Sequence, residues 1–266
     1  MNIGFDIGGT NTRVAEIAVN GVQNIFRIET PEDPVAGAEQ LIALIRQSAG
    51  DNPVNLIVGG CPGTIKDDDV ILRNPNRSRW AGYALGSALK RAFIGASVTI
   101  RNDADMAGLG EAHYGAGKEY DIVAYMGIGT GVGTTRIVSG TIDRARFGFE
   151  AGHQIIDIQA GKTLEGLIGG RYVALRTGLH PKDVPRNEYE RMTPILAVGI
   201  YNAILHWSPD VFVLGGSMMN EESGFRLSEV VKAVHALPTH SPEWPAILSS
   251  TLGNTAGLHG ARAMLH

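Results

Sequence analysis

The sequence predicts an α/β protein of two similar lobes, each a mixed β-sheet flanked by helices, with an active-site cleft between them. Three observations predict it. Short apolar strand-like runs alternate with helical patterns along the whole chain. Each half contains a strand, a Gly-Thr turn, a second strand and a hairpin turn, a duplication of topology with weak residue identity. And 35 of the 266 residues are glycine, about twice the usual share, gathered at strand ends where backbone turns tightly or approaches a ligand.

In the first half, Asn2–Ile7 is an apolar run ending in Asp6-Ile7, followed by Gly8-Gly9-Thr10. Thr12–Ala18 and Val22–Glu29 complete an antiparallel meander around the Asn20-Gly21 turn. Ala36, Leu41, Ile42, Leu44 and Ile45 recur at helical spacing up to Gly50. Asn55–Val58 is a strand running into Gly59-Gly60-Cys61-Pro62-Gly63, a stretch expected to be irregular from its glycine and proline content. Tyr83–Phe93 reads as a helix and Ser97–Arg101 as a strand.

In the second half, Asp103–Tyr114 is a helix with Asp103 as its expected N-cap, and Ile122–Met126 is a strand. The turn Gly127-Ile128-Gly129-Thr130-Gly131 leads to Val132–Val138 and a Ser139-Gly140 hairpin. Helices follow near Leu164–Thr177 and Glu188–Trp207, then a strand at Val211–Leu214 and helices around Leu227–Val234 and Ala256–Leu265. The lobes are expected at 1–101 and 102–266, with the last helix, 256–265, returning to the first.

Composition narrows the function classes. A net charge of −4 gives no electrostatic case for nucleic acid or a membrane surface. The single Cys61 excludes an intramolecular disulfide and argues against a cysteine-based zinc site. No apolar run has the length of a membrane span, and no signal peptide is visible, so a cytoplasmic protein is expected.

Asp6-Ile7-Gly8-Gly9-Thr10 places a carboxylate beside a turn whose N–H groups can face an anion, with Asp6 able to hold Mg²⁺ through water. A plain hairpin turn explains the same glycines. Gly129-Thr130-Gly131 is an equivalent turn, and two such turns facing each other could clamp a polyphosphate. Neither is a Walker A loop, since no Gly-Lys-Ser/Thr follows. Asp103 serves as a helix cap, as a proton acceptor for a sugar hydroxyl, or as both. Glu150, His153 and Glu165 are polar groups suited to adjacent sugar hydroxyls, though a satisfied core histidine and a weakly spaced metal set fit them as well. Asn74-Pro75-Asn76 before Trp80 is either a turn with an anchoring aromatic or a sugar-contacting loop, and Gly215-Gly216 is a strand end where adenine could rest.

Together these segments resemble the ROK family of sugar kinases and sugar-responsive repressors, within the actin-like ATPase fold. Asp6–Arg13 is similar to the first phosphate loop, Gly60–Gly63 to a Gly-x-Pro-Gly turn and Asn74–Trp80 to a sugar-side loop. Asn102-Asp103 through Gly110-Glu111 resembles the catalytic segment, and Gly129–Gly133 the second phosphate loop. Glu150-x-x-His153 is similar to the sugar-binding pair, Gly215-Gly216 to the adenosine segment, and Ala256–Ala261 to the closing helix.

The resemblance implies glucokinase-like, ATP-dependent phosphorylation of a hexose at its 6-hydroxyl, with Asp103 as base. It implies Asp6, Gly8, Gly9, Thr10, Gly129, Thr130, Gly131, Gly215 and Gly216 as the ATP and Mg²⁺ side. The sugar side would be Asn76, Asn102, Asp103, Glu150, His153 and Glu165, and the assembly a homodimer. The family's zinc knuckle, Cys-x-Cys-Gly-x-x-Gly-Cys-x-Glu, is missing: Gly152-His153 runs to Thr163-Leu164-Glu165 without a cysteine. No structural zinc is therefore expected, and polyphosphate becomes an alternative donor. A sugar-binding regulator is the rival class, yet the phosphate loop begins at Asp6, ahead of which a helix-turn-helix domain has no room. A degenerate ROK protein without kinase activity is the other, and the presence of Asp6, Thr10, Asp103 and Thr130 argues against it.

Overall fold

The computed structural model describes residues 1–74, 77–238 and 243–265. The chain divides into two compact units, residues 1–114 with 254–266, and residues 115–253.

The first unit begins with β1 (Asn2–Ile7), β2 (Asn11–Ala18), β3 (Gly21–Glu29), α1 (Pro34–Ala49) and β4 (Leu56–Cys61). It continues with the small hairpin β5 (Thr64–Lys66) and β6 (Val70–Arg73), then α2 (Leu85–Ala92), β7 (Ser97–Asn102) and α3 (Asp103–Tyr114). Its sheet has the order β3-β2-β1-β4-β7, antiparallel in the meander and parallel from β1 onward. Asp33 caps α1 by accepting the Ala36 N–H at 3.0 Å, and Pro34 occupies the first turn, where no N–H is needed. Ile3, Phe5 and Ile7 alternate onto one face and form a core with Leu41, Ile45, Leu85, Leu89 and Trp80.

The β4 strand departs from expectation. It continues through Gly59, Gly60 and Cys61, because these residues pair in parallel with Phe5 and Asp6 of β1 and with Ile100, Arg101 and Asn102 of β7. Ladder bonding on both sides overrides the poor strand propensity of glycine. Small residues are required there: a Cβ on Gly59 would stand 2.3 Å from the Phe5 carbonyl oxygen, and one on Gly60 would stand 3.0 Å from the Asp103 Cα.

The second unit repeats the plan. It contains β8 (Ile122–Ile128), β9 (Val132–Val138), β10 (Thr141–Ile142), β11 (Ile155–Asp157), β12 (Lys162–Thr163), α4 (Leu164–Ile168) and α5 (Gly170–Thr177). Next come α6 (Arg186–Trp207), β13 (Val211–Gly215), α7 (Leu227–His235) and β14 (Ala246–Ser249). Its sheet order, β10-β9-β8-β13-β14, matches the first: an antiparallel meander joined to parallel strands. Met126, Ile128, Leu164, Leu196, Ile200, Phe212 and Phe225 share its core.

The single helix expected over Leu164–Thr177 is two. Gly169 is extended (φ −62°, ψ 140°) and separates α4 from α5. The break is tertiary in origin, since the first N–H groups of α5, Gly170 and Arg171, donate to the carbonyls of Gly129 and Thr130 at 2.8 and 2.9 Å. A final helix, α8 (Ala256–Ala263), belongs to the first unit and packs backbone-close on α3. No helix among the described residues is long and apolar enough to cross a membrane.

Candidate active site

The first unit gathers its candidates at the ends of β1 and β7. Asp6 lies near the end of β1, its side chain 15% exposed and 3.6 Å from the Arg13 guanidinium. Loss of hydration pushes its carboxyl up to about 6, against the opposing pull of Arg13. Asp103 is pushed up to about 7, first by loss of hydration, then by the Asp6 charge, while the Ala104 N–H works the other way. Part of Asp103 still meets solvent.

Asp103 is not the N-cap of α3. β7 extends to Asn102, so helix begins at Asp103 itself, and Asn102 does the capping: its Oδ1 accepts the N–H groups of Ala104 and Asp105 at 2.8 and 3.3 Å. The Asn102 amide also donates to the Gly63 carbonyl at 3.0 Å, leaving one amide hydrogen uncommitted by these bonds. Asp103 Oδ1 accepts the Ala104 N–H at 3.0 Å, and its carboxylate also meets its own backbone N–H.

The turn from Gly8 to Thr10 is held by its carbonyls. Gly8 O accepts the Thr30 hydroxyl at 3.0 Å, Thr10 O accepts the Thr30 N–H at 2.9 Å, and Gly9 O accepts Nε and Nη2 of Arg77 at 3.2 and 2.6 Å. Thr10 is exposed. An open pocket of about 650 Å³ adjoins the turn, lined by Gly9, Thr10, Ile28, Thr30, Gln40 and Arg77 among others. Sequence reading missed Arg77 and Thr30, since their partners lie 68 and 22 residues away. Trp80 is the anchoring aromatic: it is buried and donates to the Pro31 carbonyl at 3.1 Å. Asn74 is buried and caps the turn at Arg77, accepting its N–H at 2.9 Å, while Asn76 lies outside the described residues.

The second unit gathers its candidates around Val132. The turn Gly129-Thr130-Gly131 joins β8 to β9, with Thr130 exposed and the Gly129 N–H bonded to Gly131 O at 2.9 Å. Glu165 is buried and its Oε2 accepts the Val132 N–H at 2.8 Å. Gly216, directly after β13, lies against Ile128, whose carbonyl accepts the Met218 N–H at 2.9 Å, so the Gly215-Gly216 segment adjoins the turn. Glu150 and His153 stand 3.7 Å apart, 45% and 37% exposed, flanking Gly152. Thr134 of β9, another residue that sequence reading missed, clasps this segment: its hydroxyl donates to Phe149 O and accepts the Ala151 N–H at 2.9 Å. Among the described residues, no three His, Cys, Asp or Glu side chains gather as a metal-binding group.

The family is decided by the match of the ROK family to residues 2–266. This chain belongs to the ROK family. An N-acetyl-D-glucosamine kinase of Erwinia tasmaniensis is 30% identical to it over 310 residues, covering 100% of this chain and 99% of that protein. A polyphosphate glucokinase of Mycobacterium tuberculosis is 28% identical over 97% of this chain and 88% of its own length. Among solved structures, a ROK family glucokinase from Streptomyces griseus, in complex with glucose and AMPPNP, aligns with a TM-score of 0.83 over 99% of this chain and 98% of that chain, at 23% identity. The ROK chain described here thus has the two-lobed actin-like ATPase fold, with the paired sheets that the sequence predicts.

Proposed function

We propose that this ROK protein transfers the terminal phosphoryl group of ATP to a hexose hydroxyl, at the 6-position in the glucokinase manner, with Asp103 as general base. The observation that carries the reading is Asp103 itself. It stands at the start of α3 without capping it, in reach of solvent, with its carboxyl pushed up to about 7. A base works best when its pKa lies near the working pH. In the step, the sugar oxygen forms a bond to the γ-phosphorus while the bond from that phosphorus to the β,γ-bridging oxygen breaks. The hydroxyl proton passes to Asp103, and ADP leaves with the bridging oxygen.

The remaining roles follow from where each group stands. With the Gly8 and Gly129 N–H groups bonded to the Asn11 and Gly131 carbonyls and the turn carbonyls bonded to protein donors, the amides of Gly9, Thr10, Thr130 and Gly131 are the ones suited to phosphate oxygens. Gly215 and Gly216 suit the adenosine. Glu150 and His153, both partly exposed, suit sugar hydroxyls, and the second hydrogen of the Asn102 amide offers another.

The donor set also fits Mg²⁺. Asp6 supplies one dehydrated carboxylate, and the repulsion between Asp6 and Asp103 is relieved by a nearby cation. A single protein carboxylate, with water and phosphate oxygens for the rest, is the sparse ligation magnesium prefers. When bound it would neutralise charge on the β- and γ-phosphates.

Purified protein with Mg²⁺ and either ATP or polyphosphate, given a panel of hexoses and N-acetylhexosamines, tests the reading by product formation. Sugar-dependent ADP release supports the ATP form, and sugar phosphate formed from polyphosphate alone identifies the other donor. No sugar phosphate with either donor would refute a kinase.

A further inference from the structure

We infer that Arg77 is a positioning residue for the Gly8–Thr10 turn: its guanidinium grips the Gly9 carbonyl and so aims the Thr10 N–H at the phosphoryl donor. The inference rests on the kinase reading and deepens it. Arg77 is 8% exposed, and a guanidinium keeps its charge when buried, so it needs partners there. Nε and Nη2 both donate to Gly9 O, at 3.2 and 2.6 Å, while Nη1 lies 3.0 Å from the Glu32 carboxylate. The Glu32 side chain is 74% exposed, so solvent screens that ion pair and the fork on Gly9 is the firmer attachment. A hydrogen bond from an ionised donor is about twice as strong as a neutral one.

The peptide between Gly9 and Thr10 is trans, so its carbonyl and its N–H point in opposite directions. Holding Gly9 O toward Arg77 therefore turns the Thr10 N–H to the other side of the turn, where a phosphate oxygen can accept it. The guanidinium also polarises that N–H, because linked hydrogen bonds strengthen one another. Arg77 is itself anchored through its backbone. Its N–H donates to Asn74 Oδ1 at 2.9 Å, and its carbonyl accepts the Trp80 N–H at 2.9 Å. Trp80 is fixed in turn: its indole donates to Pro31 O at 3.1 Å, and a Cβ on Gly37 of α1 would stand 2.4 Å from its ring. Thr30, beside Pro31, takes the flanking carbonyls, Gly8 O with its hydroxyl at 3.0 Å and Thr10 O with its N–H at 2.9 Å. Thr30 and Arg77 together bond all three carbonyls of the turn, and Arg77 is the charged member of the pair. It acts through the turn, not on the substrate.

The test uses the full chain with Mg·AMPPNP as the probe. In the wild type, AMPPNP should move the Thr10 amide proton downfield in NMR spectra. Arg77→Ala should abolish that shift and weaken AMPPNP binding at least tenfold in calorimetry. Affinity for whichever of glucose and N-acetylglucosamine the wild type binds should stay within threefold. Millimolar guanidinium, too dilute to denature, should recover AMPPNP affinity in Arg77→Ala at least threefold by filling the vacated site, a repair that general loosening of the fold would not permit. If Arg77→Ala fails to fold, Arg77→Lys, which replaces the fork with a single point donor, should weaken AMPPNP binding several-fold. Unchanged AMPPNP binding in a folded Arg77 variant, or no recovery with guanidinium, would overturn the inference while leaving the kinase reading intact. A wild type that binds neither AMPPNP nor polyphosphate overturns both.

Discussion

A Cβ on Gly152 would stand 2.1 Å from the carbonyl oxygen of Val132, so the turn carrying Glu150 and His153 rests directly on the first residue of β9. The obstacle is backbone, which cannot swing aside as a flexible side chain would. Gly152→Ala must therefore displace the turn, and overpacking of this kind costs about 1–3 kcal/mol. The variant is expected to raise the sugar KM at least tenfold with a smaller effect on the ATP KM. Steady-state kinetics against each substrate, with urea denaturation alongside, checks both effects.

Thr134 fixes the same turn from the strand, through Phe149 O and the Ala151 N–H, and is 6% exposed. Thr134→Val keeps the shape and removes both hydrogen bonds, leaving a half-buried N–H and carbonyl without that partner. Loss of about 1–3 kcal/mol in stability is expected, with the sugar KM rising several-fold. Thermal unfolding and KM measurements with Thr134→Ser as the control decide it, since serine retains the hydroxyl.

Much of this arrangement was legible in the sequence, and what was not has a common cause. The bounds Asn2–Ile7, Asp103–Tyr114 and Val132–Val138 coincide with β1, α3 and β9, because alternation and helical spacing are local signals. The strand at Gly59–Cys61 was not legible, since its pairing with β1 and β7 is remote in sequence. The break at Gly169 serves carbonyls some 40 residues earlier. The divide between compact units follows α3, which packs on α8 from the far end of the chain, whereas the sequence places a divide before it. Among the candidate residues, Asp6 and Asp103 of the first unit and the Gly-Thr turn of each unit stand out in the sequence by type and position. The residues that hold them, Arg77, Thr30 and Thr134, bond to backbone atoms, which no side-chain pattern reveals.

The two aspartates make stability depend on pH. Their folded-state values, about 6 for Asp6 and about 7 for Asp103, lie above the 3.8 of an exposed aspartate. The folded state thus binds these protons more tightly than the unfolded state does. The resulting stabilisation is complete below about pH 4 and is lost as pH rises through 6 to 7. Asp103→Asn removes its own share of that loss, and should be more stable than the wild type at pH 8 by roughly 2–4 kcal/mol, with little difference at pH 4. Urea denaturation of both proteins across pH 4–8 would show parallel curves if the shift were absent.

The most direct measurement is single-turnover phosphoryl transfer by Asp103→Asn, with sugar and AMPPNP affinities measured on the same preparation. Asparagine preserves size and the bond from the Ala104 N–H but cannot accept the hydroxyl proton. The transfer rate is expected to fall by about two orders of magnitude or more, with both affinities within threefold of the wild type. A near-normal transfer rate in that variant would contradict the role of Asp103.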